Sequence, residues 1–135
     1  MRYPNKIKIA GQDIAVEILP QPLYQFHTCP KCEGYRFPVP TGDRKDCPAC
    51  GCETTRPQDN VYVLGQYVVK ENKIKNWHSD DPALKQMCET SFVHEVIEAI
   101  DSINDLKLKH HQITTLAANL YQAFSTGDVT FAQAA

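Results

Sequence analysis

The chain lacks any apolar run approaching the roughly 20 residues that a membrane-spanning helix needs. Its apolar runs, such as Val61-Tyr62-Val63-Leu64 and Phe92-Val93, are far shorter. Met1-Arg2-Tyr3-Pro4 leads into polar residues instead of the apolar core of a signal peptide, so the expected location is the cytoplasm, with no membrane partner. An excess of one charge is also missing. Fourteen Lys and Arg stand against sixteen Asp and Glu, a net charge of -2, and 42% of residues are hydrophobic. These values exclude a basic nucleic-acid coat and a disordered acidic tail. Internal repeats and low-complexity runs are absent. The 135 residues suit one domain with a small inserted module and rule out a long multidomain enzyme.

Aliphatic residues are scarce between His27 and about Asn60, which instead hold five of the six cysteines and five of the nine prolines. Such a stretch cannot build an apolar core and needs another staple. Around it the pattern is ordinary. Alternation over 6–10 and 13–19 reads as a β-hairpin. Residues 61–64, 67–69 and 74–77, with a turn at Glu71-Asn72-Lys73, read as a second one. Asp80-Asp81-Pro82 signals a helix start, and neither proline nor glycine then occurs until past Asn104. Ala83/Leu84, Met87, Phe92/Val93, Val96/Ile97, Ile100 and Ile103 recur at helical spacing as one apolar stripe. A linker over 105–109 leads to a second helix with the stripe Ile113, Leu116/Ala117, Leu120 and Phe124, stopped by Gly127. The expected fold class is α+β: a small antiparallel sheet of two hairpins packed on two helices. Residues 1–26 and 61–127 form the main domain, 27–60 the insert, and 128–135 a loose tail.

Cys29-Pro30-Lys31-Cys32 and Cys47-Pro48-Ala49-Cys50 are two Cys-x-x-Cys turns separated by fourteen residues. That spacing lets four thiolates close a tetrahedron around Zn²⁺, as in a zinc ribbon. With no open coordination position, this ion is structural and supplies folding energy. A thioredoxin-like redox pair needs a single Cys-x-x-Cys in a βαβ setting, and paired disulfides need an export signal; neither context is present. Cys52 and His27 flank the knuckles as competing ligands, with a spare thiol and a loop histidine as their simpler readings. Cys88 reads as core filling. From His27 to Pro57 there are five basic and four acidic residues, and a zinc tetrathiolate adds -2, leaving about -1. Phosphate-driven nucleic-acid binding is therefore disfavoured, and protein contact or bracing is favoured.

Phe92-Val93-His94-Glu95-Val96-Ile97-Glu98-Ala99-Ile100 lies in the middle of the long helix. His94 and Glu98 are four apart, so both project from one face and can chelate one metal, with Glu95 one step round. This is the His-Glu-x-x-His arrangement with glutamate as second ligand. The competing reading is an amphipathic helix with a hydrogen-bonded histidine and two solvated glutamates. Flanking apolar residues place His94 and Glu98 beside the buried stripe, where polar groups need partners. A third ligand is required. His110 is in phase with Ile113 and Ala117, whereas His111 shares the phase of Thr114, Thr115 and Ala118, so His110 is preferred and His111 is the alternative. Either needs the linker to run back along the first helix. Asp101 is a further candidate, as ligand or as orienting group. His78 reads as a surface residue.

The stretch 63–124 resembles a family of small zincin-like metallopeptidases encoded in phage and prophage genomes. The likeness is carried by the hairpin at Gly65, the helix motif above, Leu106-x-Leu108, His110-His111-Gln112-Ile113 and Leu120-Tyr121-Gln122, with the ribbon as an insertion. The resemblance implies a second Zn²⁺ held by His94, Glu98 and His110, with Glu95 as general base on metal-activated water. It also implies a protein or peptide substrate, aligned along the strand 74–77 as an edge, and a bacterial host cytoplasm as the setting. The alternative is a non-catalytic zinc-binding module that contacts another protein through a degenerate site.

Overall fold

The computed structural model describes residues 3–53 and 55–126, so the helix stop at Gly127 and the tail 128–135 lie outside the described residues. Among the described residues, seven strands and two α-helices follow in order: β1 (Lys6–Ile9), β2 (Gln12–Leu19), β3 (Tyr24–Cys29), β4 (Tyr35–Pro40), β5 (Arg56–Val63), β6 (Gly65–Val68), β7 (Lys73–Trp77), α1 (Pro82–Asn104) and α2 (His110–Thr126). The class is α+β. The chain divides into two compact units, one of residues 1–20 and 65–135, the other Gln21–Leu64.

In the first unit, β1 and β2 pair antiparallel around the two-residue turn Ala10-Gly11, with both residues at positive φ as a primed turn requires. β6 and β7 pair antiparallel around a 3-10 turn at Val69–Glu71. The two hairpins join through a parallel seam of β2 on β7, from Ala15↔Lys73 to Leu19↔Trp77. The sheet is thus mixed, in the order β1-β2-β7-β6, and not antiparallel throughout. Asn72 ties the seam. Its side-chain nitrogen donates to the Asp13 carbonyl, its side-chain oxygen accepts from the Tyr67 hydroxyl, and its own carbonyl accepts from Ala15 N–H.

Helix α1 starts at Pro82, and the Asp81 carboxylate accepts from Ala83 N–H at 3.0 Å, a cap worth about 1 kcal/mol. The helix is buried on two faces instead of along a single stripe. Phe92 and Ala99 pack on Ile9, Ile14 and Ile74 of the sheet, with Val96, Ile100 and Ile103 at the margin. Val93 and Ile97 pack on Ile113 and Ala117 of α2. At its first turns Cys88 and Glu89 are buried while Met87 is exposed, because position 88 faces the sheet side. On α2 the inward line is Ile113, Ala117 and Tyr121, which leaves Leu116 and Leu120 at 44% and 39% exposure, contrary to the expected stripe.

Among the described residues, Asn76 and Glu89 are the buried polar side chains. Asn76 of β7 is fully buried and satisfied: its Nδ2 donates to the carbonyls of Trp77 and Cys88, and its Oδ1 accepts from Ser91 Oγ. It fastens the sheet to α1. Gly65, its partner across β6, leaves the room for this, since a Cβ there would overlap Asn76 Oδ1.

The second unit carries the sheet β4-β3-β5, with β3 antiparallel to both neighbours. It runs beyond 27–60 at both ends because Tyr24 pairs with Pro40 and Val63, which draws the residues expected in the second hairpin, 61–63, into this sheet. Its core is Cys29, Phe37, Val39, Cys47 and Cys52, with Cys32 at the edge. Among the described residues, no helix is long and apolar enough to cross a membrane.

Candidate metal centres

The two Cys-x-x-Cys turns are built alike. In the first, Gly34 N–H donates to the Cys29 carbonyl; in the second, Gly51 N–H donates to that of Cys47 at 2.8 Å, with Gly51 at φ +74, where an L side chain would be strained. Both turns aim backbone N–H groups at a sulfur, those of Lys31 and Cys32 at Cys29 and those of Ala49 and Cys50 at Cys47. Burial opposes ionisation of Cys47, but these N–H groups, together with hydrogen bonds from the Cys29 and Cys50 thiols, outweigh it and bring the thiol down to about 7. Burial and hydrogen bonding with Cys50 raise Cys29, and hydrogen bonding with Cys50 followed by burial raises Cys32 to about 12. None of the six cysteines forms a disulfide.

Cys29, Cys32, Cys47 and Cys50 bring their sulfurs within 4.8 Å of one another, an arrangement that could hold a metal ion. A tetrahedral zinc thiolate with bonds of about 2.3 Å has sulfur–sulfur edges of about 3.8 Å. The Cys29–Cys50 and Cys32–Cys47 separations, 3.6 and 3.9 Å, bracket that value. The two flanking candidates stay outside the group. Cys52 is buried with its carbonyl accepting from Cys47 N–H, and His27 Nδ1 lies 3.5 Å from Thr55 Oγ1.

The second cluster is His94, Glu98 and His110, whose ligand atoms also lie within 4.8 Å of one another. His94 Nε2 is 3.2 Å from Glu98 Oε1, and the His94 and His110 ring centroids are 5.2 Å apart. A tetrahedral zinc site with bonds near 2.05 Å has ligand edges of about 3.3 Å, so the first pair is already at bridging distance. Two imidazoles and one carboxylate suit a zinc ion with a coordination position left open. His110 is exposed, so the cluster is open to solvent on that side. His111 does not join the group, and neither does Asp101, whose Oδ1 accepts from Leu108 N–H at 2.9 Å.

Glu95 points towards β6, where its Oε2 accepts from the Tyr67 N–H at 2.8 Å. Burial, and next the charge of Glu98, raise its pKa to about 7 against the opposing pull of that N–H. β7 is paired on both sides; the edges of this sheet are β1 and β6, which corrects the expectation that 74–77 forms an edge. Two further departures concern residues read from sequence. His78 is not a plain surface residue: Nδ1 bonds the Tyr3 hydroxyl at 2.8 Å and Nε2 bonds Asp80 at 3.0 Å. Tyr67 carries no mark in the sequence, since a backbone N–H that finds its acceptor 28 residues away leaves no sequence signal.

No protein-family model, no curated protein and no solved structure matches this chain.

Proposed function

We propose that the chain is a zinc-dependent hydrolase of peptide bonds, with His94, Glu98 and His110 as metal ligands and Glu95 as general base, and that it carries a zinc ribbon in which Cys29, Cys32, Cys47 and Cys50 hold a structural zinc. The observation that carries the reading is the convergence of His94, Glu98 and His110 from two helices onto one point, beside the half-buried Glu95 carboxylate, raised to about 7. The resemblance to zincin-like phage and prophage metallopeptidases supports it, as does the pairing of ligand types.

A divalent cation bound there would supply Lewis acidity, polarising a carbonyl and lowering the pKa of water towards about 7. The remaining work falls to the chain itself. Glu95, held by the Tyr67 N–H, has a basicity suited to taking a proton from water near neutral pH and passing it to the leaving amine. β6 is the edge beside Glu95, so an extended peptide would align there by strand addition. The zinc ribbon would stabilise residues that have too little aliphatic surface to fold alone. The bacterial cytoplasm, where thiols stay reduced, suits such a site.

One observation favours the alternative of a non-catalytic module. His94 and Glu98 already satisfy each other as an i,i+4 pair, which requires no metal. Metal counting combined with assay of Glu95→Gln decides. Two zinc ions per chain and a peptidase activity abolished by Glu95→Gln support the hydrolase; one ion, held by the cysteines alone, supports the module.

A further inference from the structure

We infer that Asp101 is the positioning residue that delivers His110 to the helix site, an inference that rests on the metal-binding reading above. Asp101 is seven residues after His94 and three after Glu98, so it continues the same helical face. Its carboxylate nevertheless stays out of the ligand group and turns to the backbone, Oδ1 accepting from Leu108 N–H at 2.9 Å. Its carbonyl accepts twice more, from Asp105 N–H and, at 3.2 Å, from Leu106 N–H.

These bonds answer a geometric need. A tight antiparallel hairpin would set His110 opposite residues near 102, one turn or more beyond Glu98. The linker instead passes through two left-handed residues, Asp105 at φ 49 and Lys107 at φ 58, conformations that side-chain-bearing residues seldom adopt without support. Asp101 clamps the chain directly after the second of them, and the Leu108 side chain seats against the Val93, Ile97, Ile113 and Ala117 core. Lys109 then serves as the start of α2, its carbonyl accepting from Gln112 and Ile113 N–H and its own N–H donating to Gln112 Oε1. His110 is the next residue. A single residue, Lys109, therefore separates Leu108, whose N–H is clamped, from the third ligand, and the direction of α2's first turn is set by the clamp.

The experiment is competition of the full chain against a chelator for Zn²⁺, with Co²⁺ absorption separating the cysteine site from the imidazole–carboxylate site. Asp101→Ala is expected to weaken the helix site about 10–100-fold while leaving the cysteine site unchanged. Asp101→Asn keeps an oxygen acceptor for Leu108 N–H and is expected to stay within about threefold of the parent chain. Asp101→Glu keeps the charge but displaces the carboxylate, and is expected to weaken the site as alanine does. The Asn and Glu pair carries the test even if the alanine variant fails to fold. If Asn weakens the site and Glu preserves it, Asp101 acts by charge and the inference is overturned. It is overturned on its own if the parent binds two ions and no variant changes the second affinity. A parent chain that binds only one ion overturns it together with the proposed function.

Discussion

The Tyr67 N–H donates to Glu95 Oε2 at 2.8 Å, linking the open edge of the sheet to the carboxylate that follows His94 on α1. An edge strand has unpaired backbone groups by construction. Here one of them orients a side chain on the helix beneath and opposes the burial that raises its pKa.

Glu95→Gln keeps an oxygen that can accept from Tyr67 N–H while removing the proposed base. Peptidase activity should fall by about 10²–10⁴-fold, the usual weight of general base catalysis, with the zinc content unchanged. Kinetics alongside metal analysis checks both halves. Loss of the second ion together with activity would assign Glu95 to metal binding instead.

Glu95 also predicts a pH dependence for protein carrying only the cysteine-site ion. Its folded pKa, about 7, lies above the ordinary 4.5, so the folded state holds the proton more tightly than the unfolded chain. Its favourable contribution is present below about pH 4.5 and is lost as pH rises through about 7. Urea midpoints of the parent should therefore drop relative to Glu95→Gln across that window and run parallel above it. Parallel curves throughout would show that burial does not perturb this carboxyl.

His110→Ala should remove the second zinc ion, or weaken it by at least about tenfold, whereas His111→Ala should leave it within about twofold. Isothermal titration of each variant with Zn²⁺ makes the comparison. The reverse order would mean that α2 is rotated from the orientation described here.

Removing the cysteine-site metal should unfold residues 21–64, because the core of that unit consists largely of the cysteines themselves. Cys47→Ser should do the same in zinc-replete buffer, with the helical circular dichroism of α1 and α2 retained. Proteolysis confined to residues 21–64, followed by mass spectrometry, reads this directly.

Gly65→Ala should cost about 1–3 kcal/mol in urea denaturation, since the added methyl displaces the Asn76 amide that bonds Ser91 and the Trp77 and Cys88 carbonyls. Asn76→Ala, which leaves the Cys88 carbonyl without that donor, should fall in a similar range.

The parts legible in the sequence are those governed by local chemistry. The β1–β2 hairpin follows from alternation and a short turn, and the start of α1 follows from Asp81-Pro82. The four-cysteine cluster follows from a spacing whose turns close on themselves whatever surrounds them. The pairing of His94 with Glu98 is a property of any helix. Local pattern fails where one surface has to choose between neighbours. Leu116 and Leu120 have the right spacing for an inward stripe, but α2 presents Ile113, Ala117 and Tyr121 to α1, and helical periodicity alone does not set that rotation.

Sequence by itself therefore determined which side chains could ligate and which two stand one turn apart, because bond geometry and helical pitch operate over a few residues. Only the tertiary structure decided that β2 joins β7 in parallel, that β6 is the edge facing Glu95, and that His110 instead of His111 reaches His94. Each of these depends on contacts between residues distant along the chain, or, for His110, on two left-handed linker residues clamped by Asp101, and no local pattern encodes the balance among them.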